Sequence, residues 1–173
     1  MSNTHLILET KRIILRRFVM DDIDSLVKFY SDPDVIKHIP DAPRNYEETR
    51  KELEWHVKGH PKFPELGLWA TIHKDTGDFI GRCGLIPWSL NGQDEVEVAF
   101  ALSKAYWGQG LATEAAQGII QYAHETLKLR RLVCLIEEGN QASVKIAAKL
   151  GMSFERKGED EIGPFLLYSM SKF

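Results

Sequence analysis

Cysteine, clustered histidine, long apolar runs and excess positive charge are all scarce in this chain. Its two cysteines among 173 residues, Cys83 and Cys134, lie far apart in strand-like apolar segments. Neither has metal-ligand spacing, so two buried, reduced thiols in a cytoplasmic protein are expected. His124-Glu125 has no second His at metalloprotease spacing; the six histidines predict surface or packing roles and no metal site. No apolar run approaches a membrane span, and no charged-then-apolar leader opens the chain. A net charge of −3 excludes general electrostatic attachment to nucleic acid or to an acidic membrane. No repeat, low-complexity tract or composition break divides the sequence, so residues 1–173 are read as one domain. What remains is an ordinary globular mixture, 43% hydrophobic and 27% charged, long enough for a real core.

Apolar spacing orders the chain as strand, helices, strands, helix, strand, helix, strands. Residues 6–18 begin as a strand centred on Ile13-Ile14-Leu15. Ile23, Leu26, Val27 and Tyr30 share one helical face, and residues 46–57 predict a second, weaker helix. Pro61, Pro64 and Gly67 make 60–67 a loop. Residues 68–73 and 79–88 predict strands joined across a connection containing Gly77, and Asn91-Gly92 marks a turn before a strand ending near Leu102. Ala112, Ala116, Ile119, Ile120, Ala123 and Leu127 form one helical stripe. Residues 131–136 read as a buried strand. Asn140 is an N-cap for a helix running to Leu150, with Gly151 as its stop. Residues 154–157 and 165–170 supply closing strands. This order fits an α/β (α+β) fold, a mixed sheet flanked by helices.

The most informative stretch runs from Tyr106 to Glu114, Tyr-Trp-Gly-Gln-Gly-Leu-Ala-Thr-Glu. Two glycines spaced by one residue allow a tight turn that bares backbone N–H groups. The helix behind it adds unpaired donors and the positive end of its dipole. The combination is an anion cradle suited to phosphate or pyrophosphate. It lacks the Lys-Ser or Lys-Thr of a nucleoside-triphosphate loop and the third glycine of a dinucleotide fingerprint, and it follows several strands. A tight strand-to-helix turn with no ligand uses the same glycines.

Around this turn the sequence resembles the GNAT superfamily of acetyl-coenzyme A-dependent N-acetyltransferases. It is closest to the branch containing ribosomal-protein alanine N-acetyltransferases of the RimJ/RimL type. The matching pieces are residues 8–16 (Leu-Glu-Thr-Lys-Arg-Ile-Ile-Leu-Arg), 31–35 (Ser-Asp-Pro-Asp-Val), Ile80-Gly81 with Gly84, and residues 97–100 (Glu-Val-Ala-Phe). After the turn come residues 140–143 (Asn-Gln-Ala-Ser) and 150–154 (Leu-Gly-Met-Ser-Phe). They occur in the family's order over nearly the whole chain. Where the wider superfamily begins its turn with Gln or Arg, this chain has Trp107, as the branch commonly does.

The resemblance implies a single GNAT-like domain with a twisted, mostly antiparallel mixed sheet and the cofactor, acetyl-CoA, at a splayed strand pair. It implies that Trp107, Gly108, Gln109, Gly110, Leu111, Ala112 and Thr113 hold the pyrophosphate of coenzyme A. The strand Phe100, Ala101 and Leu102 would pair through its backbone with the pantetheine arm. Asn140 would reach the same arm besides capping its helix, and no metal is needed.

Direct transfer of acetyl to an amine needs a neutral nucleophile, a donor for the carbonyl oxygen and a proton for the departing thiolate. Glu97 is the candidate base, in a position where relatives carry a glutamate. Alternation puts Glu95, Glu97 and Ala99 on one face and Val96, Val98 and Phe100 on the other, so both carboxylates are expected to face a cleft or solvent. Glu95 is therefore a rival, and a purely structural role for Glu97 stays open. Ser143 is the candidate acid, because the helix after Asn140 contains no tyrosine; a capping role is its alternative. Trp88, Tyr106 and Trp107 are open to either an acceptor pocket or the core. Lys145 and Lys149, one turn apart, either meet the cofactor's adenosine phosphate or form a solvated face.

The acceptor is expected to be a primary amine, in first place an α-amino group on a protein N-terminus. A small-molecule amine such as a polyamine, amino acid or antibiotic is the alternative, and a non-catalytic acyl-CoA sensor is the reading of another class. The region 32–67 frames the acceptor side in the superfamily. Nucleic acid and membrane are not expected partners; dimers are common among relatives, but no segment here demands one.

Overall fold

Asn91 and Gly92 both take left-handed φ values, 51° and 78°, as a two-residue type I′ hairpin requires. They join β4 (Phe79–Leu90) to β5 (Gln93–Leu102) in an unbroken antiparallel register from Leu90↔Gln93 to Gly81↔Leu102. This long ribbon is the spine of the computed structural model, which describes residues 5–172. β3 (Gly67–His73) pairs with β4, β2 (Ile13–Arg16) with β3 and β1 (Leu6–Glu9) with β2, all antiparallel. Beyond β5 the order continues through β6 (Arg131–Glu137), β8 (Pro164–Ser171) and β7 (Ser153–Glu159). The sheet of eight strands is antiparallel except where β5 meets β6.

The first stretch differs from expectation. Residues 6–18 form a hairpin rather than one strand, turning at Thr10 to Arg12, where the Thr10 N–H bonds to the Ile13 carbonyl at 2.8 Å. The cause is distant in sequence. The Thr10 hydroxyl and the Arg12 backbone N–H each donate to Glu114 at 2.7 Å, so the turn is built on a helix that lies far along the chain.

Helices cover both faces. α4 (Leu111–Glu125) and α5 (Gln141–Lys149) pack with Val98, Leu102, Leu132 and Ile136 on one side. The buried stripe of α4 is Leu111, Ala115, Ala116, Ile119 and Ala123, and the predicted Ala112, Ile120 and Leu127 lie at its margins. α1 (Ile23–Tyr30), the four-residue α2 (Pro33–Ile36) and α3 (Tyr46–Lys58) cover the other side, with Leu26, Phe29 and Leu53 against Leu68 and Ala70. α2 opens the helical region 32–58 that the family resemblance implies: Asp32 caps it by accepting from the Asp34 N–H and Pro33 occupies its first turn, a standard start signal. Cys83 and Cys134 are both free and buried.

Coverage of the second face corrects one expectation. Ala99 and Ala101 pack against the α1–α3 layer, and on the Glu95–Glu97–Ala99 face Glu95 is buried while Glu97 and Ala99 stay partly exposed. The Glu95 side chain is only 3% exposed. Arg131 of neighbouring β6 closes on it through Nε and Nη2, each at 2.9 Å.

Candidate active site

The site begins where β5 and β6 part. Their parallel pairing has a single register pair, Glu97↔Val133. The next rung of such a ladder would join Leu135 N–H to Val98 C=O. Instead the Leu135 N–H turns to the Glu97 carboxylate, and the Val98 carbonyl accepts the Cys134 thiol at 3.3 Å. Past this point the strands diverge. Residues 98, 100 and 102 direct their backbone groups away from β4 by alternation. The Leu102 carbonyl is occupied by the Trp107 indole at 2.7 Å. The N–H and C=O of Phe100 are thereby left facing the gap, the pair an added extended arm would use.

Below the gap lies the glycine turn. Gly108 and Gly110 have φ of 73° and 76°, which a side-chain-bearing residue adopts only at a cost. Gly110 caps α4 without any side-chain hydrogen bond. The first intrahelical bond there runs from Glu114 N–H to Gly110 C=O, so the N–H groups of Leu111, Ala112 and Thr113 have no helical partner. A cavity of about 680 Å³ opens on them, in the range of small-molecule sites. Phe100, Ala101, Leu102, Trp107, Gly108, Gly110, Leu111, Ala112, Thr113, Asn140 and Ser143 all border it. Gln109 does not: its carbonyl accepts Arg12 Nη1 at 2.9 Å and its side chain donates to the Ala105 carbonyl.

One support of this cavity went unrecognised in the sequence. Arg12 grips the turn through Gln109 and pairs with Glu114 at 2.7 Å, tying β1–β2 to the anion cradle. Glu114, an acid in the first turn of a helix, was the available signal. The segment 34–39 walls the other side, pinned by Lys104 to Asp34 at 2.5 Å and by His38 to Glu137 at 3.3 Å. Lys145 and Lys149 are exposed on the cavity rim.

Glu97 lies at the closed end of the splay, outside the cavity lining. Its carboxylate accepts the Trp88 indole N–H at 2.6 Å. Burial pushes its pKa up to about 7, against the hydrogen bonds from Trp88 and Leu135 and the Arg82 charge, which pull it down. Trp88 thus serves the candidate base, while Tyr106 and Trp107 border the cavity. Asn140 caps α5 by accepting the Ser143 N–H at 3.2 Å; the Ser143 hydroxyl stands at the cavity edge in the same turn. Glu95 is committed to Arg131 and is removed as a rival. Among the described residues no group of three or more His, Cys, Asp or Glu is arranged to hold a metal ion, and no helix is long and apolar enough to cross a membrane.

An anion-cradling turn below a parted parallel strand pair defines a class of acyltransferase. Residues 12–153 match the family described as the Acetyltransferase (GNAT) domain, and the chain belongs to that family. A Bacillus licheniformis protein named as the uncharacterized N-acetyltransferase p20 is 29% identical over 153 residues, 87% of this chain and 83% of that one. The acetyltransferase (GNAT family) of Bacillus anthracis superposes with a TM-score of 0.78 at 21% identity, covering 97% of this chain and 98% of that one. The ribosomal-protein-S5-alanine acetyltransferase of Vibrio fischeri superposes at 0.70 with 18% identity, covering 95% of each chain. These two superpositions share the fold. The chain is an N-acetyltransferase, and its family implies acetyl-CoA as the acetyl donor and an amine as the acceptor.

Proposed function

We propose that this protein, acting through residues 1–173 as one catalytic domain, transfers acetyl directly from acetyl-CoA to an α-amino group, with Glu97 as general base. The observation that carries the proposal is the Glu97 carboxyl held near 7 at the base of the splay. A base near 7 can take a proton from an α-ammonium group of about 7.7–8.0, whereas a lysine near about 10.4 is a poorer match. Bound acetyl-CoA supplies an activated acyl thioester. The chain supplies the rest. The N–H groups of the turn from Trp107 to Thr113 and the first turn of α4 hold the pyrophosphate. Gln109 shapes that turn through its Arg12-held carbonyl, and Lys145 and Lys149 face the adenosine phosphate. The free Phe100 N–H and C=O, with Ala101 and Leu102, hold the pantetheine arm; a β5 N–H serves the carbonyl oxygen. Asn140 fixes the start of α5, so that the Ser143 hydroxyl can hydrogen-bond the departing thiolate and relay to it a proton taken up from solvent.

The α-amino group is best placed on a protein N-terminus, in keeping with the ribosomal-protein enzyme that shares the fold; small amines are the competing acceptors. Two free, buried thiols support work in the cytoplasm. The test is thiol release from acetyl-CoA against a panel of N-terminal peptides and small amines. Turnover of α-amines in preference to matched lysine side chains is expected. Tight acetyl-CoA binding with no acceptor-dependent thiol release would overturn the proposal and leave a sensor.

A further inference from the structure

Arg82 is a buried arginine facing the α1–α3 layer, and no hydrogen bond or ion pair joins its side chain to another described residue. It lies on β4 opposite Ala101 of β5 and Ala70 of β3, and only 9% of the residue is exposed. Its guanidinium sits over the Tyr30 ring, 5.5 Å from the centroid. Nε is sealed from solvent without an acceptor. The carboxylates of Glu52 and Asp41 act on it through charge alone; Glu52 Oε1 takes the Tyr30 hydroxyl at 3.1 Å and its Oε2 is itself sealed and unpaired. An arginine carries five donors in a planar fork matched to carboxylate. Sealing its Nε without an acceptor is costly.

The strand register shows what the fork addresses. Arg82, Gly84 and Ile86 share the face of β4 that looks to α1–α3, and Glu97, Ala99 and Ala101 share the same face of β5. Gly84 lies opposite Ala99, and Arg82 opposite Ala101. No side chain larger than a methyl therefore rises from β4 and β5 between the arginine and the Glu97 carboxyl. Small residues thus floor the stretch between the Glu97 carboxyl and the Arg82 guanidinium, with the Tyr30 ring beside the arginine and Ala99 and Ala101 partly exposed.

We infer that Arg82 is a specificity-determining residue that receives a carboxylate carried close to the acceptor's amine, while the amine lies at Glu97. This rests on the proposed transfer to an α-amine with Glu97 as base. The carboxylate is either that of a free amino acid or the side chain of an acidic N-terminal residue; the chemistry at Arg82 is the same.

The experiment uses two matched sets of acceptors. One is alanine, alaninamide and ethylamine; the other is the dipeptides Asp-Ala and Asn-Ala with amidated C-termini. Each is titrated calorimetrically into the coenzyme A-loaded protein and assayed for thiol release, in the parent, Arg82→Lys and Arg82→Met. A hydrogen-bonded charge pair predicts a preference for the carboxylate member of about 10- to 100-fold in Kd and KM. The ratio should fall to near unity in Arg82→Met and be partly kept in Arg82→Lys. Alanine and Asp-Ala separate the two carboxylate sources. Coenzyme A affinity and the thermal melt report whether each variant folds, and the parent's preference is read without either variant. An absent preference in the parent, or one that survives in folded Arg82→Met, overturns the inference. Carboxylate-dependent, Arg82-dependent binding without any thiol release would sustain it while overturning the proposed reaction.

Discussion

Replacing Glu97 by Gln should change how stability depends on pH, because Glu97 holds its proton in the folded protein to about pH 7 rather than the ordinary 4.5. Between those values the folded state binds more protons than the unfolded chain, so stability falls as pH rises. The contribution is complete below the unfolded value and lost as pH climbs through the folded one. Moving a carboxyl from 4.5 to about 7 makes its ionised form roughly 3 kcal/mol costlier in the folded protein than in the unfolded chain. Gln has nearly the same shape, keeps one acceptor for the Trp88 indole or the Leu135 N–H, and cannot ionise. The unfolding free energy of Glu97→Gln, taken relative to the parent, should therefore rise by roughly 2–3 kcal/mol between about pH 4 and about pH 8.5. Urea unfolding followed by tryptophan fluorescence at several pH values measures it. A variant-minus-parent difference that stays flat across that interval would refute the reasoning, since it would mean Glu97 ionises in the folded protein as it does in the unfolded chain. In the parent, kcat/KM should rise through about pH 7; the variant should lose that limb and about 10²- to 10⁴-fold in rate.

Glu95→Gln breaks the closed pair with Arg131 and should cost about 2–3 kcal/mol in urea unfolding, while the pH profile of kcat/KM keeps its shape; a lost limb would restore Glu95 as a base. Glu114→Gln weakens the tie between Arg12, Thr10 and the glycine turn, and should raise KM for acetyl-CoA about tenfold with kcat changed much less, as steady-state kinetics would show. Gly110→Ala forces a β-carbon onto a left-handed residue and should lower stability by about 1–2 kcal/mol, read as a lower thermal midpoint; its β-carbon would stand 3.6 Å from Arg12 Nη2, an ordinary contact. Burial raises the pKa of both thiols, so a disulfide reagent should label Cys83 and Cys134 only after urea unfolding; rapid labelling of the native protein would contradict their burial.

Much of the architecture was legible because it is written locally. Asn91-Gly92 dictates its hairpin through backbone conformation alone. Asn140 and Gly151 bracket α5, each beside its own end of the helix, and the apolar period of α4 survives a shift of one position in its buried stripe. The anion cradle was equally local, since Gly108, Gly110 and the uncapped first turn are consecutive. What stayed hidden depended on contacts distant in sequence. The turn at Thr10 to Arg12 exists because Glu114 accepts its donors, and β-strand alternation by itself did not tell that Arg131 of β6 would close on Glu95. Glu97 was found from its position in the family pattern, but its pKa is raised by burial among elements distant in sequence, which outweighs the hydrogen bonds from Trp88 and Leu135 that pull it down. Arg82 carried no motif at all. Its unpaired donors emerged only when β4, α1 and α3 were assembled around it.

The single rung at Glu97↔Val133 also has a mechanical meaning. Five strands on one side and three on the other meet there along a seam that continues only as diverging edges, so the sheet is two plates on a short hinge. A pantetheine arm bonded to Phe100 on one plate, with Asn140 engaged beyond the end of the other, would act as a rivet across that seam. Donor loading would then stiffen the whole sheet, slowing amide exchange in β6 and β8 as well as at the binding turn. The protein would be most rigid when it holds its donor and would loosen once the spent thiol departs.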